Sequence, residues 1–131
     1  MIYLDADTTS NALPAALQAC PLPLVAVSQT PLSGHHDQVV RDNRQAASIA
    51  ARYLIERGHR YIAYIGGQDN DLIRQQRLLG LYSTLEKNGM TVREEFAPAC
   101  SDNTQAASIA TRQLLEKIMP LPPCCATHRM Q

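Results

Sequence analysis

Residues 42–67 read DNRQAASIAARYLIERGHRYIAYIGG: one helix, one strand and a pair of glycines. Asp42 with Gln45 three positions on is a capping-box-like start, in which the carboxylate takes a free first-turn amide and the glutamine reaches back. Ala46, Ile49, Ala50, Tyr53 and Leu54 follow at i, i+3, i+4, i+7 and i+8, one apolar stripe, with Gln45, Ser48, Arg52 and Glu56 off it. Gly58 stands where a left-handed C-terminal cap is wanted. YIAYI, residues 61–65, is then a short apolar run closed by Gly66 and Gly67, and it reads as a strand.

The helix wording recurs. DNRQAASIAARYLIE at 42–56 meets DNTQAASIATRQLLE at 102–116, with eleven of fifteen positions identical. Asp102 and Gln105 are expected to open the second helix, and Ala106, Ile109, Ala110 and Leu114 to form its stripe. A solenoid needs more than two copies, and the residues between these two are not self-similar. The recurrence is therefore read as one helix design used twice within a single fold.

Around these copies the same alternation continues. IYL at 2–4 reads as a strand, and Ser10 or Asn11 can cap a helix running to Cys20, with Pro14 in its first turn and Leu13, Ala16 and Leu17 on one face. PLPLVAV supplies a strand at about 24–27, and TPLSGHHD is a polar turn region. Leu78, Leu81, Tyr82 and Leu85 mark a helix over roughly 71–88, stopped by Asn88 and Gly89. Gly80 interrupts it at a cost of about 1 kcal/mol against alanine, unless it lets a neighbour approach. FAPAC, 96–100, is a weaker strand. Strand and helix alternating four times argue for an α/β fold with parallel strands and helices on the faces.

Composition narrows the function. Net charge is zero and hydrophobic content is 45%, which is poor material for an electrostatic grip on nucleic acid or an anionic membrane. No apolar run is long enough for a membrane span, and MIYLDADTTS lacks the basic and apolar regions of a signal peptide. A cytoplasmic location is expected. The cysteines, Cys20, Cys100, Cys124 and Cys125, form no spaced disulfide framework. Cys124, Cys125 and His128 lack a second pair at zinc spacing, so no metal and no cofactor is implied. His35 and His36 read as solvated loop residues, and His59 as a favourable charge after a helix C-terminus. Gly66-Gly67 carries neither phosphate-loop pattern. No nucleophile–base pair or paired carboxylates stand out, so the chain does not read as an enzyme.

The segments LPLVAV, VVRDNRQAASIAARYLIERGHRYIAYIGG and RQQRLLGLYSTLEKNGM, taken together from Leu22 to about Lys117, resemble the LacI/GalR family of bacterial transcription regulators. The resemblance implies a partial periplasmic-binding-protein-like (type I) fold: parallel sheets flanked by helices in two incomplete subdomains, with a ligand cleft between them. Residues 1–40 would belong to the first subdomain, 41–118 to the second, and 119–131 to an irregular tail. Arg77 matches the family arginine that reaches the effector, and a guanidinium offers a planar fork of donors suited to sugar hydroxyls or an anion. Asn43 lies at the crossover near the cleft, where a helix-cap role competes with a ligand role. Ser28, with Gln29, follows the strand ending at Val27, where the family often carries an acidic residue or arginine. Arg77, Asn43 and Ser28 are thus the candidate effector contacts. A small-molecule effector, a sugar or related metabolite, is the implied partner, with homodimerisation as the family's assembly.

In that family, operator DNA is bound by an N-terminal helix-turn-helix and hinge helix, and neither pattern occurs in these residues. The tail IMPLPPCCATHRMQ, with three prolines, does not read as the buried strand expected there. A shifted reading frame near Met119 permits a strand-like alternative, so a frameshifted tail is expected and the nucleotide sequence would test it. The implied whole is a truncated effector-binding core of a repressor. A solute-binding protein without a DNA role, a non-functional gene product, and a fragment that docks onto an intact regulator subunit are the competing readings.

Overall fold

A computed structural model describes residues 2–4, 15–19 and 21–118. The expected caps Ser10 and Asn11, the residues Leu13, Pro14 and Cys20, the side chains of Ala16 and Leu17, and the tail with Cys124, Cys125 and His128 lie outside the described residues or atoms.

Among the described residues three strands, β1 (Ile2–Leu4), β2 (Val25–Ser28) and β3 (Asp37–Val40), form one parallel sheet in the order β1-β2-β3. Ile2 pairs with Val25, and Val25 with Asp37. A four-residue helix, α1 (Ala15–Gln18), lies between β1 and β2. β3 is absent from the sequence reading, because DQVV begins inside the stretch taken as a polar turn. Residues 29–36 join two parallel strands without a helix, where about a dozen residues are usual. The Gln38 side chain steadies this short connection: its Oε1 accepts from Leu32 N–H at 3.0 Å and its Nε2 donates to the Leu32 carbonyl at 3.3 Å. Leu32 and Ala26 are thereby buried together, with Leu24 packed against them. His36 departs from the solvated reading. It is half-buried, and its Nε2 is enclosed without a hydrogen-bond partner among the described residues.

The other α-helices among the described residues are α2 (Asn43–Glu56), α3 (Leu72–Lys87) and α4 (Thr104–Ile118). Asp42 caps α2 by accepting from Gln45 N–H at 2.9 Å, and Asp71 caps α3 by accepting from Ile73 N–H. Gly58 closes α2 at φ +87°, with the His59 amide bonded back to the Leu54 carbonyl. That is the left-handed stop expected from the sequence.

α2 and α3 pack against each other around Ala51, Leu81 and Leu85, joined by Ile55, Leu78 and Tyr82. The α3 stripe is the expected one. The α2 stripe is not. Ile49 and Tyr53 are each 54% exposed, Ala46 and Ala50 are also exposed, and only Leu54 is half-buried. The face turned inward carries Asn43, Ser48, Ala51 and Ile55. The cause lies at Gly80, where α3 backbone touches α2 backbone at Arg44. Such an approach needs small or hydrogen-bonding side chains around it, and Ser48 Oγ donates to the Gly80 carbonyl at 3.1 Å. Ser48 therefore belongs to the packed face, against the expectation.

The second copy of the helix is also displaced. Its cap is Asn103, whose Oδ1 accepts from Ala106 N–H at 2.8 Å, rather than Asp102. α4 turns Ala110 and Leu114 inward with Ala106 half-buried, as expected, but Ile109 is 51% exposed.

YIAYI and FAPAC form no regular strand. Tyr64 N–H donates to the Phe96 carbonyl and Cys100 N–H to the Gly67 carbonyl. These bonds advance in the same sense along both segments, as in a parallel pair, but lie too far apart to make a ladder. Residues Glu94–Phe96 take a 3-10 turn instead. Among the described residues no helix is long and apolar enough to cross a membrane.

Candidate functional site

β2 delivers Ser28 and Gln29 to its C-terminal end, and the chain returns there after β3. Arg41 N–H donates to the Ser28 carbonyl at 3.3 Å. Two residues later α2 begins, and its first residue is Asn43. With Asp42 serving as the cap, the Asn43 side chain is free for another task. It is 1% exposed. Its Nδ2 donates to the Gln29 carbonyl at 2.9 Å and lies 3.3 Å from Gln76 Oε1 on α3. One buried amide thus ties the end of β2, the start of α2 and the first half of α3.

The other end of that amide is unsatisfied. Asn43 Oδ1 is buried with no hydrogen-bond partner among the described residues. Reversing the amide would aim an oxygen at the Gln29 carbonyl, so the observed orientation is the better of two. A buried acceptor left in this state costs about 1–3 kcal/mol, and unsatisfied buried groups of this kind call for a functional or structural reason.

Ser28 is buried beside this point, and its hydroxyl donates to the Thr30 carbonyl at 2.6 Å. Its lone pairs face a site only as acceptors, because the proton is committed. The structure therefore brings Ser28 and Asn43 into one hydrogen-bonded neighbourhood.

Arg77 follows Gln76 on α3. It is half-buried, and its guanidinium makes no hydrogen bond or ion pair among the described residues. Arg74, one turn earlier, behaves differently. It is 4% exposed, donates from Nη1 to the Gly66 carbonyl at 2.8 Å and from Nη2 to the Ala97 carbonyl, and lies 5.5 Å above the Tyr64 ring. Asp69 stands 3.8 Å from its Nε but is 91% exposed, so that pairing contributes little. Arg74 pins the two strand-like segments, 61–67 and 96–100, to α3. Gly67 accommodates it: at φ +71° a Cβ there would stand 2.9 Å from the Arg74 Cβ.

Sequence reasoning singled out Arg77 and missed Arg74 and Gln76. Nothing in the sequence marked Gln76. The groups that meet around Asn43 are amides and a hydroxyl, and Arg77 follows Gln76 on α3 with an uncommitted guanidinium. They can orient a polar ligand. They supply no acid–base pair.

The sequence matches, over residues 1–123, the family described as periplasmic binding proteins and sugar-binding domain of the LacI family. The maltose regulon regulatory protein MalI of Escherichia coli (strain K12) is 30% identical over 115 residues, which cover 88% of this chain and 34% of MalI. The HTH-type transcriptional repressor CytR of the same organism is 34% identical over 82 residues, 63% of this chain and 24% of that protein. The solved complex of transcriptional regulator CelR with cellobiose superposes with a TM-score of 0.67 at 27% identity, covering 92% of this chain and 37% of CelR. The chain spans about a third of the length of MalI and of CelR. Fold, segment order and the match across nearly the whole sequence agree, and the chain belongs to the family of periplasmic binding proteins and LacI-type sugar-binding domains.

Proposed function

We propose that these residues form part of the effector-binding core of a LacI/GalR-type transcriptional repressor, and that the effector is a small neutral sugar or a related polyol. The observation that carries this reading is the Asn43 amide, which joins the strand leaving one side of the site to the helix that bears Arg77. A ligand held by Arg77 would act on the same joint that links the sheet of β1–β3 to the α2–α3 pair. The two buried apolar clusters, one around Ala26 and Leu32 and one around Ala51, Leu81 and Leu85, support a division into two subdomains near residue 40. Ligand sites between such lobes converge polar groups and close on binding.

In this reading Arg77 donates to effector oxygens, Asn43 positions the joint, and Ser28 offers acceptor lone pairs from the facing side. Effector binding shifts the populations of operator-bound and released states by its differential affinity for them. Operator contact falls to a helix-turn-helix headpiece, as the names of the related repressors indicate, and not to this charge-neutral stretch. The assembly is a homodimer in the cytoplasm, and no catalytic step is involved. The cellobiose bound by CelR supports a saccharide as the ligand class.

Calorimetric titration of the chain with cellobiose, maltose and simple monosaccharides tests this. Saturable binding of at least one sugar is expected, and Arg77→Ala should abolish it while leaving the circular dichroism spectrum unchanged. Absence of binding across the panel, or undiminished binding by the variant, would overturn the assignment.

A further inference from the structure

The far end of α3 carries a separate feature. About 12 Å along the helix from Arg77, at eight residues' distance and 1.5 Å per residue, Leu85 floors a cavity of about 370 Å³. Leu81, Ile62 and Met90 line it as well, together with the aromatic rings of Tyr61, Tyr82 and Phe96. Tyr61 and Phe96 meet edge to face, with ring centroids 6.3 Å apart and planes at 68°. The lining includes two arginines, Arg60 and Arg93, and no carboxylate. Arg60 makes no ion pair among the described residues. Arg93 lies 5.6 Å over the Phe96 ring and 3.6 Å from an exposed Glu95 oxygen, a contact weak enough to yield to a better anion.

The volume sits at the small end of ligand pockets, whose range begins at about 300 Å³, and suits a single substituted ring. Three aromatic side chains in the lining favour a flat partner through stacked or edge-on contacts. Two guanidinium groups without a lining acid favour a planar anion, which each can meet with paired donors. A sugar does not satisfy this combination, since it offers neither a flat apolar face of that extent nor a charge.

We propose that this cavity is a second small-molecule site, for a planar aromatic carboxylate whose ring lies among Tyr61, Tyr82 and Phe96 and whose carboxylate is met by Arg60 and Arg93. The site is distinct from the one around Asn43 and Arg77, and the two share only α3. A ligand here bridges the end of α3 to the segments that Arg74 anchors at its start.

The test uses the full chain and 4-hydroxybenzoate as probe, followed by calorimetry and by chemical-shift changes of the Met90 methyl. Saturable binding is expected, with 4-methylphenol and acetate each binding far more weakly. Arg60→Gln and Arg93→Gln lie on exposed positions and should each weaken binding about tenfold, as loss of a charge-assisted contact implies. Thr91→Trp, also exposed and lining the cavity, should block the probe by filling its space. Arg77→Ala should leave probe affinity unchanged. Absence of saturable binding overturns the proposal, as does binding indifferent to both arginine variants. Loss of probe binding in Arg77→Ala also overturns it, because the probe would then occupy the other site. A chain that binds the probe and no sugar would sink the effector reading and leave this one standing.

Discussion

The Gly80 Cα faces the Arg44 carbonyl so closely that a Cβ added at Gly80 would lie 2.1 Å from that oxygen. This contact is where α3 crosses α2, and three hydroxyls, of Ser48, Ser83 and Thr84, donate to the Gly80 carbonyl beside it. Alanine at position 80 would gain about 1 kcal/mol of helix propensity. The overlap is with backbone, which no rotamer change relieves, so a cost near the upper end of overpacking, about 3 kcal/mol, is expected. Gly80→Ala should therefore lose about 2 kcal/mol net in urea unfolding. A stabilised variant would show that the two helices do not approach this closely in solution.

Asn43 permits a sharper comparison. Asn43→Ala removes the bond to the Gln29 carbonyl but also removes the orphaned Oδ1, so a loss of only about 1 kcal/mol is expected. Asn43→Asp keeps the shape and gains at most about 1 kcal/mol from the helix dipole. It also buries a carboxylate against the Gln29 carbonyl and Gln76 Oε1, an unpaired charge whose burial costs about 3 kcal/mol or more. The aspartate variant should thus be the less stable of the two by chemical denaturation at pH 7. Equal midpoints would mean that the site admits water.

The two copies of DN-x-QAASIA predict opposite cap sensitivities. In the first, Asp42 accepts from Gln45 N–H; in the second, Asn103 accepts from Ala106 N–H. Asp42→Ala and Asn103→Ala should each cost about 1 kcal/mol, while Asp102→Ala should change stability by less than about 0.5 kcal/mol. A large effect at Asp102 would place the second helix start one residue earlier.

That one-residue shift marks where sequence legibility ended. The helices were readable from period and punctuation, with Gly58 as a left-handed stop, Asp71 and Asn88 as the ends of α3, and Leu78, Leu81, Tyr82 and Leu85 as its packed face, whereas the strands read at 61–65 and 96–100 did not form. The α2 face was not readable. Ala46, Ile49, Ala50 and Tyr53 make the more apolar stripe, yet the close contact of Gly80 with Arg44 selects the smaller, more polar face around Ser48 and Ala51. Periodicity ranks faces by transfer energy and does not contain the backbone approach that decides between them. Resemblance nominated Arg77 and Asn43 as candidate contacts, but the hydrogen bonds that join Asn43 to Gln29 and Gln76 are long-range, and no local pattern encodes them. β3 escaped for a related reason, since its partner β2 and the Gln38–Leu32 clamp define it more than its own four residues do.

Alkaline conditions should expose Tyr82. Burial pushes its phenol above the ordinary value of 10.0, Arg74 pulls it back by less, and Glu94 adds to the rise. A raised acid pKa means that the folded state holds the proton where the unfolded state has released it. This contribution to stability is flat below pH 10.0 and falls as pH rises through that value. Tyr82→Phe should remove that part of the alkaline loss, seen as a shallower fall of the urea midpoint above pH 10.0. Parallel curves for the two proteins would show that the phenol is as solvated as in the unfolded chain.

Arg74 and Arg77 lie one helical turn apart and should fail in opposite ways. Arg74 holds the Gly66 and Ala97 carbonyls on two different segments. Arg74→Met leaves those acceptors without their charged donor and should cost about 3 kcal/mol. Arg74→Lys should recover little of this, because an ammonium is a point donor where a fork spans two carbonyls. Arg77→Met loses no such partner and should stay within about 0.5 kcal/mol of the parent, while sugar binding disappears. Midpoints from urea unfolding and sugar titration on the same four proteins separate the two roles. If Arg77→Met unfolds as readily as Arg74→Met, both arginines are structural, and the effector must be held by groups other than Arg77.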